Sequence, residues 1–554
     1  MIPTTNLRSR PDVLLLTAFC GILFFYGLGA FGLLGADEPR YAQVAREMLE
    51  RSDWVTPTLL GKPWLEKPAL YYWEAMLAFR AAGVSDQSAR LPCAIDAALL
   101  VAGIYFFLRR FRLGSELDGA LVTASCAGVI GFAHAAATDM PLAAAFSLAL
   151  LAWYGWYDSG RHAYLAAFYI FLGLGTLAKG PIAPALCAII IFLFVAAKRE
   201  WPVIRRTLWI PGILLYLAVI LPWYIAVQLR NPGFFRFFIL EHNFARFSEN
   251  VYHHHQPFWF YLPVFLLAMA PWTVALIFAV SERIRLAWSE GREACSDPEG
   301  SWALFLVVWM LVPVLFFSAS QSKLPGYILP AVPAGALLVA EYLAGRAERK
   351  SLNAEGVDVS RRARDGGRLP PLFAVAHGIL SGLLIFAALS AASIASAHRL
   401  LWGSGSFLSA TMTAACFALG IGGVLLSRAG VRFLSRATAF AVVVSVVAVI
   451  RLAAPVIDAT QSARSIAESI QAFSHEPVPV ALYHVSRVQE YGLEFYLNRP
   501  AGKYEDGGVP AAAHVLVAGQ GAQLQVAQLV PGRRVSYLTS VPAQKVDVYW
   551  VGKE

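Results

Sequence analysis

The chain has 554 residues, 58% of them hydrophobic and only 15% charged, with a net charge of +9 and a mean hydropathy of +0.56. A soluble globular domain lies nearer half apolar and a quarter charged, and a chain this long has too much surface for the surplus to be core alone. The solvent for that surface is lipid, which excludes a soluble enzyme, a secreted disulfide scaffold and a disordered regulator. Lys and Arg scattered between apolar runs also argue against a nucleic-acid binder.

Apolar runs of about 20 residues, each long enough to cross roughly 30 Å of hydrocarbon, predict about 13 spans. They lie near 12–34, 92–110, 117–135, 139–157, 162–178, 181–197, 208–228, 258–280, 302–319, 327–345, 371–392, 407–427 and 433–453. The first begins behind Arg8 and Arg10 like a signal sequence, but its apolar stretch is long and no small-x-small cleavage site follows, so it reads as uncleaved. With a cytoplasmic N-terminus, the even-numbered connections carry Arg109, Arg110 and Arg112, then Lys198, Arg199, Arg205 and Arg206, then the cluster Arg361–Arg368. That is the bias expected of cytoplasmic loops. Two long stretches, 36–91 and 229–257, then face outward, and so does the tail after the last span.

The tail changes character. Residues 461–473 read as an amphipathic helix, and Val478–Val485, His514–Ala518, Val535–Thr539 and Val546–Val551 as short strands. The expected fold is an all-α membrane domain over 1–453 with interfacial helices in the first outer loop, followed by a small soluble α/β domain over 454–554. Five cysteines (Cys20, Cys93, Cys126, Cys187, Cys416) fall in spans and Cys295 in a cytoplasmic loop, so no disulfide framework is implied.

The first outer loop opens with Asp37-Glu38-Pro39-Arg40-Tyr41. Carboxylates at the mouth of an apolar helix are costly beside lipid unless they have a partner or a task. Arg40 is one partner, and a helix beginning here makes Asp37 a helix-terminal anion in any case. Tyr41, Val44, Ala45, Met48 and Leu49 form an apolar stripe, and a second helix spans Tyr71 to Phe79. Between them, Glu66-Lys67-Pro68 sets a cation that either binds a lipid phosphate or snorkels.

These residues carry a resemblance. Asp37–Tyr41, Ala45–Met48, Asp53-Trp54, Glu66-Lys67-Pro68, Asp139, Lys179-Gly180, Glu241-His242, Arg246-Phe247, His253–Trp259 and Ser322–Pro330 are similar to the GT-C class of lipid-phosphate-dependent glycosyltransferases. More narrowly they resemble the aminoarabinose transferases that modify lipid A, relatives of the protein mannosyltransferases. The resemblance covers 1–345 well and the remainder by architecture. It implies a GT-C-like fold in a Gram-negative inner membrane, with site and C-terminal domain facing the periplasm. The donor would be undecaprenyl phosphate carrying 4-amino-4-deoxy-L-arabinose, the acceptor a lipid A phosphate, and the consequence resistance to polymyxin and other cationic peptides.

Such a transfer needs cations around a polyprenyl phosphate leaving group. Arg40, Lys67, Lys179, Arg246 and Lys323, with Tyr327, are the phosphate-binding candidates, although Lys179 and Lys323 at span ends also suit snorkelling, and Arg246 and Tyr327 suit interfacial anchoring. Asp37 and Asp139 are the catalytic candidates. A phosphate acceptor is already anionic, so Asp37 is not an obligatory base. It serves equally by binding the sugar ammonium or steadying charge at the anomeric carbon, while Asp139 also reads as a helix start beside Thr138. No cofactor is required; a zinc-type divalent cation held by Glu66 with His254 or His255 is an alternative to a titratable surface loop, and the spacing fits no standard zinc signature.

No P-loop or dinucleotide fingerprint is present, and Gly420–Gly423 reads as close helix packing. The rival enzyme glycosylates a protein hydroxyl, which would make Asp37 a true general base. The rival from another class is a lipid or sugar transporter, which would show inverted repeats and midplane charges instead of polar residues gathered at one face. No nucleic acid and no obligate protein partner is implied.

Overall fold

The computed structural model describes residues 9–238, 256–290, 298–354, 370–395, 430–473 and 478–553, with isolated positions between 411 and 420. The chain begins with α1 (Ser9–Cys20), which continues as a wide turn over Gly21–Phe25 and then leaves helical geometry at Tyr26. This helix is shorter than the 12–34 stretch expected. Gly27, with φ +76, takes a conformation that ends it.

The outer loop that follows contains α2 (Asp37–Glu50), a tight hairpin of β1 (Thr58–Leu59) and β2 (Lys62–Pro63), and α3 (Leu70–Ala82). One side chain organises it. Glu47 on α2 accepts from Thr58 Oγ1 at 2.7 Å, Leu60 N at 2.7 Å and Gly61 N at 3.1 Å, fastening the hairpin turn to the helix. Tyr41, Val44, Ala45 and Met48, the anticipated stripe, are buried. Helix α4 (Asp86–Phe111) starts six residues before the expected span because Ser85 and Ser88 form a capping box.

The membrane body continues through α5 (Glu116–Ala124), α6 (Ala127–Ala133), α7 (Asp139–Ser159), α8 (His162–Lys179), α9 (Ile182–Lys198), α10 (Pro202–Thr207) and α11 (Ile210–Arg230). Beyond the second outer stretch come α12 (Tyr261–Ala268), α13 (Thr273–Glu290), α14 (Pro298–Ala319), α15 (Val332–Ala354), α16 (Pro371–Ala395) and α17 (Gly430–Ala448). Among the described residues, seven helices are long and apolar enough to cross a bilayer, or nine if two bent pairs count as single spans. Those pairs, α5 with α6 and Phe258–Ala268 with α13, bend by 61° and 112°. At the second, Pro271 lacks the amide that would carry the helix through.

Helix α7 is the axle, buried from Met140 to Ser147 and from Ala149 to Trp156, whereas α11 buries only Gly212, Trp223, Tyr224 and Val227. Its small residues, Ala143, Ala144, Ala145 and Ala149, let neighbours approach closely. Helices α7 and α8 run antiparallel across a turn in which Gly160, φ +69, caps α7. The start of α7 and the end of α8 therefore lie at the same face of the bundle, which sets up the site.

The last apolar helix runs unbroken from Phe433 to Gln461 through α18 (Ala454–Gln461), and the C-terminal domain hangs from it. That domain contains α19 (Arg464–Phe473), β3 (Val480–Tyr483), α20 (Arg487–Leu497), β4 (Gly502–Lys503), β5 (His514–Gly519), α21 (Gln523–Leu529), β6 (Arg533–Val541) and β7 (Val546–Lys553). The five strands form one sheet in the order β4-β3-β5-β7-β6, parallel on the β3 side and antiparallel around β7. Strand β5 is central and buried from His514 to Ala518, as its unbroken apolar run requires. The sequence pattern did not reveal β4, which is only two residues long.

The domain is bolted to the membrane body. Tyr496 donates to Asp86 Oδ1 at 2.6 Å and accepts from Leu33 N at 2.7 Å; Arg464 pairs with Asp86 at 3.0 Å and with Asp458 at 2.7 Å. Gly32 sits where a Cβ would meet Ser462 Oγ at 2.1 Å and Tyr496 Oη at 2.5 Å, so only glycine permits this approach. The described cysteines, Cys20, Cys93, Cys126 and Cys187, are buried free thiols.

Candidate functional site

The acidic pair at the head of α2 divides into two roles. Adjacent helical residues point about 100° apart. Asp37 faces solvent, its side chain 51% exposed, and pairs with Arg40 one turn on. Glu38 turns into the core and meets Arg90, whose Nη2 and Nε lie 2.7 and 3.1 Å from Glu38 Oε2. Arg90 also donates to the carbonyls of Leu28, Phe31 and Gly32 at 2.7–2.8 Å. Glu38 and Arg90 thus fix the chain entering α2 and aim Asp37 outward.

Arg40 is held by rings. Its guanidinium lies 5.0 Å from the Trp64 ring, 5.3 Å from Tyr41 and 5.5 Å from Tyr491, and its Nε is buried with no hydrogen-bond partner. Tyr41, Tyr71 and Tyr72 pack edge-on with centroids 6.1–6.3 Å apart, and the Tyr72 hydroxyl is buried without a partner. Burial pushes the Tyr41 and Tyr72 phenols above their ordinary range. The charges of Asp37, Arg40 and Asp139 also act on Tyr41, and those of Arg40, Glu66 and Asp37 on Tyr72. The tyrosines therefore stand between α2, the Glu66 segment and the head of α7.

At that head, Lys179 from the end of α8 places Nζ 2.5 Å from Asp139 Oδ1 and 4.7 Å from the Tyr327 ring centroid. Gly326 closes over the pair: a Cβ there would meet Asp139 Oδ1 at 2.5 Å. The Ser322–Pro330 segment thus belongs to the same cluster. Lys67 is buried, 8% exposed, beside half-buried Glu66. Lys323 is buried as well; its ammonium donates to the Ser320 carbonyl, and desolvation lowers its pKa.

Asp53 joins the first outer loop to the start of the second. It accepts from Val55 N and Thr56 N and pairs with Arg230 at 2.7 Å, while Trp223 Nε1 donates to Val55 O at 3.0 Å. Arg246, His254 and His255 lie outside the described residues. The zinc reading is accordingly left with Glu66 alone, which faces Arg40 and Tyr72; among the described residues no three His, Cys, Asp or Glu gather as a metal site.

The structure thus brings together Asp37, Arg40, Glu66, Asp139, Lys179 and Tyr327, six of the sequence candidates, on one face of the bundle. Sequence reasoning missed Arg90, although an arginine leading into an apolar helix was a visible signal. It also missed Tyr491, which no local pattern marks. Chemically, the cluster offers carboxylates for a cation and guanidinium and ammonium groups for phosphate oxygens, walled by aromatic rings suited to a sugar.

Comparison with known proteins places the chain beside several transferases in sequence and fold. Residues 66–225 match the family model described as dolichyl-phosphate-mannose-protein mannosyltransferase. The chain is 34% identical over 348 residues to the undecaprenyl phosphate-alpha-4-amino-4-deoxy-L-arabinose arabinosyl transferase of Pseudomonas aeruginosa strain UCBPP-PA14, a match covering 61% of this chain and 60% of that relative. The corresponding transferase of Serratia proteamaculans strain 568 is 30% identical over 338 residues, covering 59% and 58%. The matched part therefore spans about three-fifths of these relatives. The crystal structure of ArnT from Cupriavidus metallidurans bound to undecaprenyl phosphate superposes with a TM-score of 0.73 over 98% of both chains, at 21% identity. The chain has the ArnT fold along nearly its whole length.

Proposed function

We propose that the chain is a membrane glycosyltransferase that moves 4-amino-4-deoxy-L-arabinose from undecaprenyl phosphate to a lipid A phosphate at the periplasmic face of the inner membrane. The observation that carries this reading is the meeting of two ion pairs, Asp37–Arg40 and Asp139–Lys179, around buried tyrosines at one face of the bundle. The donor named in the relatives carries both a phosphate and an amine, and the cluster offers groups of both complementary signs.

In this mechanism an oxygen of the acceptor phosphate attacks the anomeric carbon. The bond from that carbon to the donor phosphate oxygen breaks, and its electron pair leaves on undecaprenyl phosphate. Arg40, Lys67, Lys179 and Lys323, with Arg246, take up the charge that develops on the leaving phosphate, and Tyr327 borders them. Asp37 and Asp139 hold the sugar ammonium and the positive charge at the anomeric centre. The acceptor is already ionised, so no general base is needed.

Around this site we infer the 13-span topology, with a membrane domain over 1–453, outer loops at 36–91 and 229–257, and a periplasmic domain over 454–554. Each expected span except 407–427, most of which lies outside the described residues, coincides at least in part with an apolar helix or bent helix pair. The match to the mannosyltransferase model supports a second reading, transfer to a protein hydroxyl, in which Asp37 must act as base.

The test mixes purified protein with lipid A and undecaprenyl-phosphate aminoarabinose and follows lipid A by mass spectrometry. Gain of one aminopentose is expected. No gain from folded protein, with transfer to a hydroxyl-bearing peptide instead, would replace the first reading with the second.

A further inference from the structure

We propose that Tyr491 of the C-terminal domain is a positioning residue of the transfer site, and that this domain is a fixed wall of the site and not a lid; the inference rests on the transferase reading above. Two of the rings around Arg40, Tyr41 and Trp64, come from the first outer loop. The third, Tyr491 at 5.5 Å, comes from α20. Asp37 holds one end of the guanidinium through Nη2, and with Nε orphaned the three rings set the rest of its orientation.

The contact is not an accident at one position. Arg40, Gln43, Arg46 and Glu50 recur every three to four residues and form one face of α2. Along that face, Gln43 Nε2 donates to Asn498 Oδ1 at 3.2 Å, Arg46 Nη1 to the Phe495 carbonyl at 2.7 Å, and Asn498 Nδ2 to Glu50 Oε1 at 3.2 Å. The Arg46 guanidinium also lies 4.8 Å from the Phe495 ring. Asp37 sits one turn above Arg40, so the face presenting the reactive pair is the one that α20 grips. The start of α20 is itself fixed by a capping box at Ser486 and Gln489, five residues or fewer from Tyr491.

A swinging lid would have to break all of these contacts together with those of Tyr496 and Arg464 to Asp86. The domain instead completes the socket of Arg40 from a segment about 450 residues away in sequence.

Binding of undecaprenyl phosphate, read by native mass spectrometry on full-length protein in detergent, tests the role of Tyr491. Y491L should weaken binding fivefold or more, Y491F should stay within twofold of the parent, and Y491L in an R40M background should cause no further loss. Binding by Y491L within twofold of the parent, or losses that multiply in the double variant, would overturn the role. If Y491L does not fold, the wall is tested with Q43C/N498C joined by a cleavable thiol crosslinker. Transfer should persist while the link is in place. Transfer lost on linking and restored on cleavage would make the domain a lid. A parent that binds undecaprenyl phosphate with the Tyr491–Arg40 coupling intact, yet transfers no sugar, would reject the transferase reading and leave the positioning role standing.

Discussion

Glu38 and Arg90 form an ion pair in the core, 2.7 Å from Oε2 to Nη2, with the arginine side chain 0% exposed, while the neighbouring Asp37 stands half in solvent. The two carboxylates of one acidic motif therefore fail differently when changed. Removing Arg90 leaves Glu38 and three backbone carbonyls buried without their partner, a loss on the order of 3–5 kcal/mol. R90M should lower the melting temperature in detergent by several degrees or prevent isolation of monodisperse protein. D37N should melt with the parent and lose transfer at least 100-fold. An active, normally melting R90M would remove the structural role assigned to the pair.

Gly326 is the roof over Asp139. A methyl group added there meets Asp139 Oδ1 at 2.5 Å, its Cγ at 2.7 Å and the Phe132 ring at 2.9 Å, closer than real contacts allow. The carboxylate is the group free to move, and moving it breaks the contact with Lys179. G326A should cut transfer tenfold or more with little change in melting. Full activity in purified G326A would show that the reaction does not depend on where Asp139 points.

Much of the fold was legible in the sequence because membrane helices announce themselves by composition, and Asp37 and Asp139 drew notice as charges set beside apolar runs. Bends were not legible: hydropathy reads 258–280 as one span and does not register that Pro271 folds it back by 112°. Nor was the split between Asp37 and Glu38, since adjacent carboxylates look alike until a distant Arg90 claims one. Tyr491 was invisible for a related reason. Its role comes from docking two segments far apart in the chain, and no periodicity within α20 encodes what lies across the interface.

Glu494 makes the interface of α20 sensitive to pH. It is 3% exposed, its Oε2 has no hydrogen-bond partner, and burial, reinforced by the charge of Glu490, pushes its carboxyl up to about 7. The folded state therefore binds a proton more tightly than the unfolded chain, whose carboxyl titrates near its ordinary value. Stability conferred by that proton is complete below the unfolded pKa and is lost as pH rises through about 7. Melting temperature should fall between pH 5 and pH 8, and E494Q should flatten the fall and melt above the parent at pH 8. Parallel melting curves for parent and E494Q across that range would reject the assignment.

The pairing of Asp139 with Lys179 and of Asp37 with Arg40 bears on which sugar is accepted. While each carboxylate is neutralised by its own cation, neither the cation nor the anion is fully available to a substrate. An ammonium on the sugar changes this by offering the carboxylates a new partner, which frees Lys179 and Arg40 to turn toward phosphate oxygens. A neutral pentose cannot trigger the exchange. The expected outcome is that a donor lacking the 4-amino group is transferred with a kcat/KM at least 100-fold below that of the aminopentose, a difference of about 2.7 kcal/mol in transition-state binding. Competition between the two donors for one lipid A pool, read by mass spectrometry, measures the ratio directly. Equal transfer of the neutral sugar would mean that the carboxylates serve the anomeric carbon alone and that the amine is recognised elsewhere.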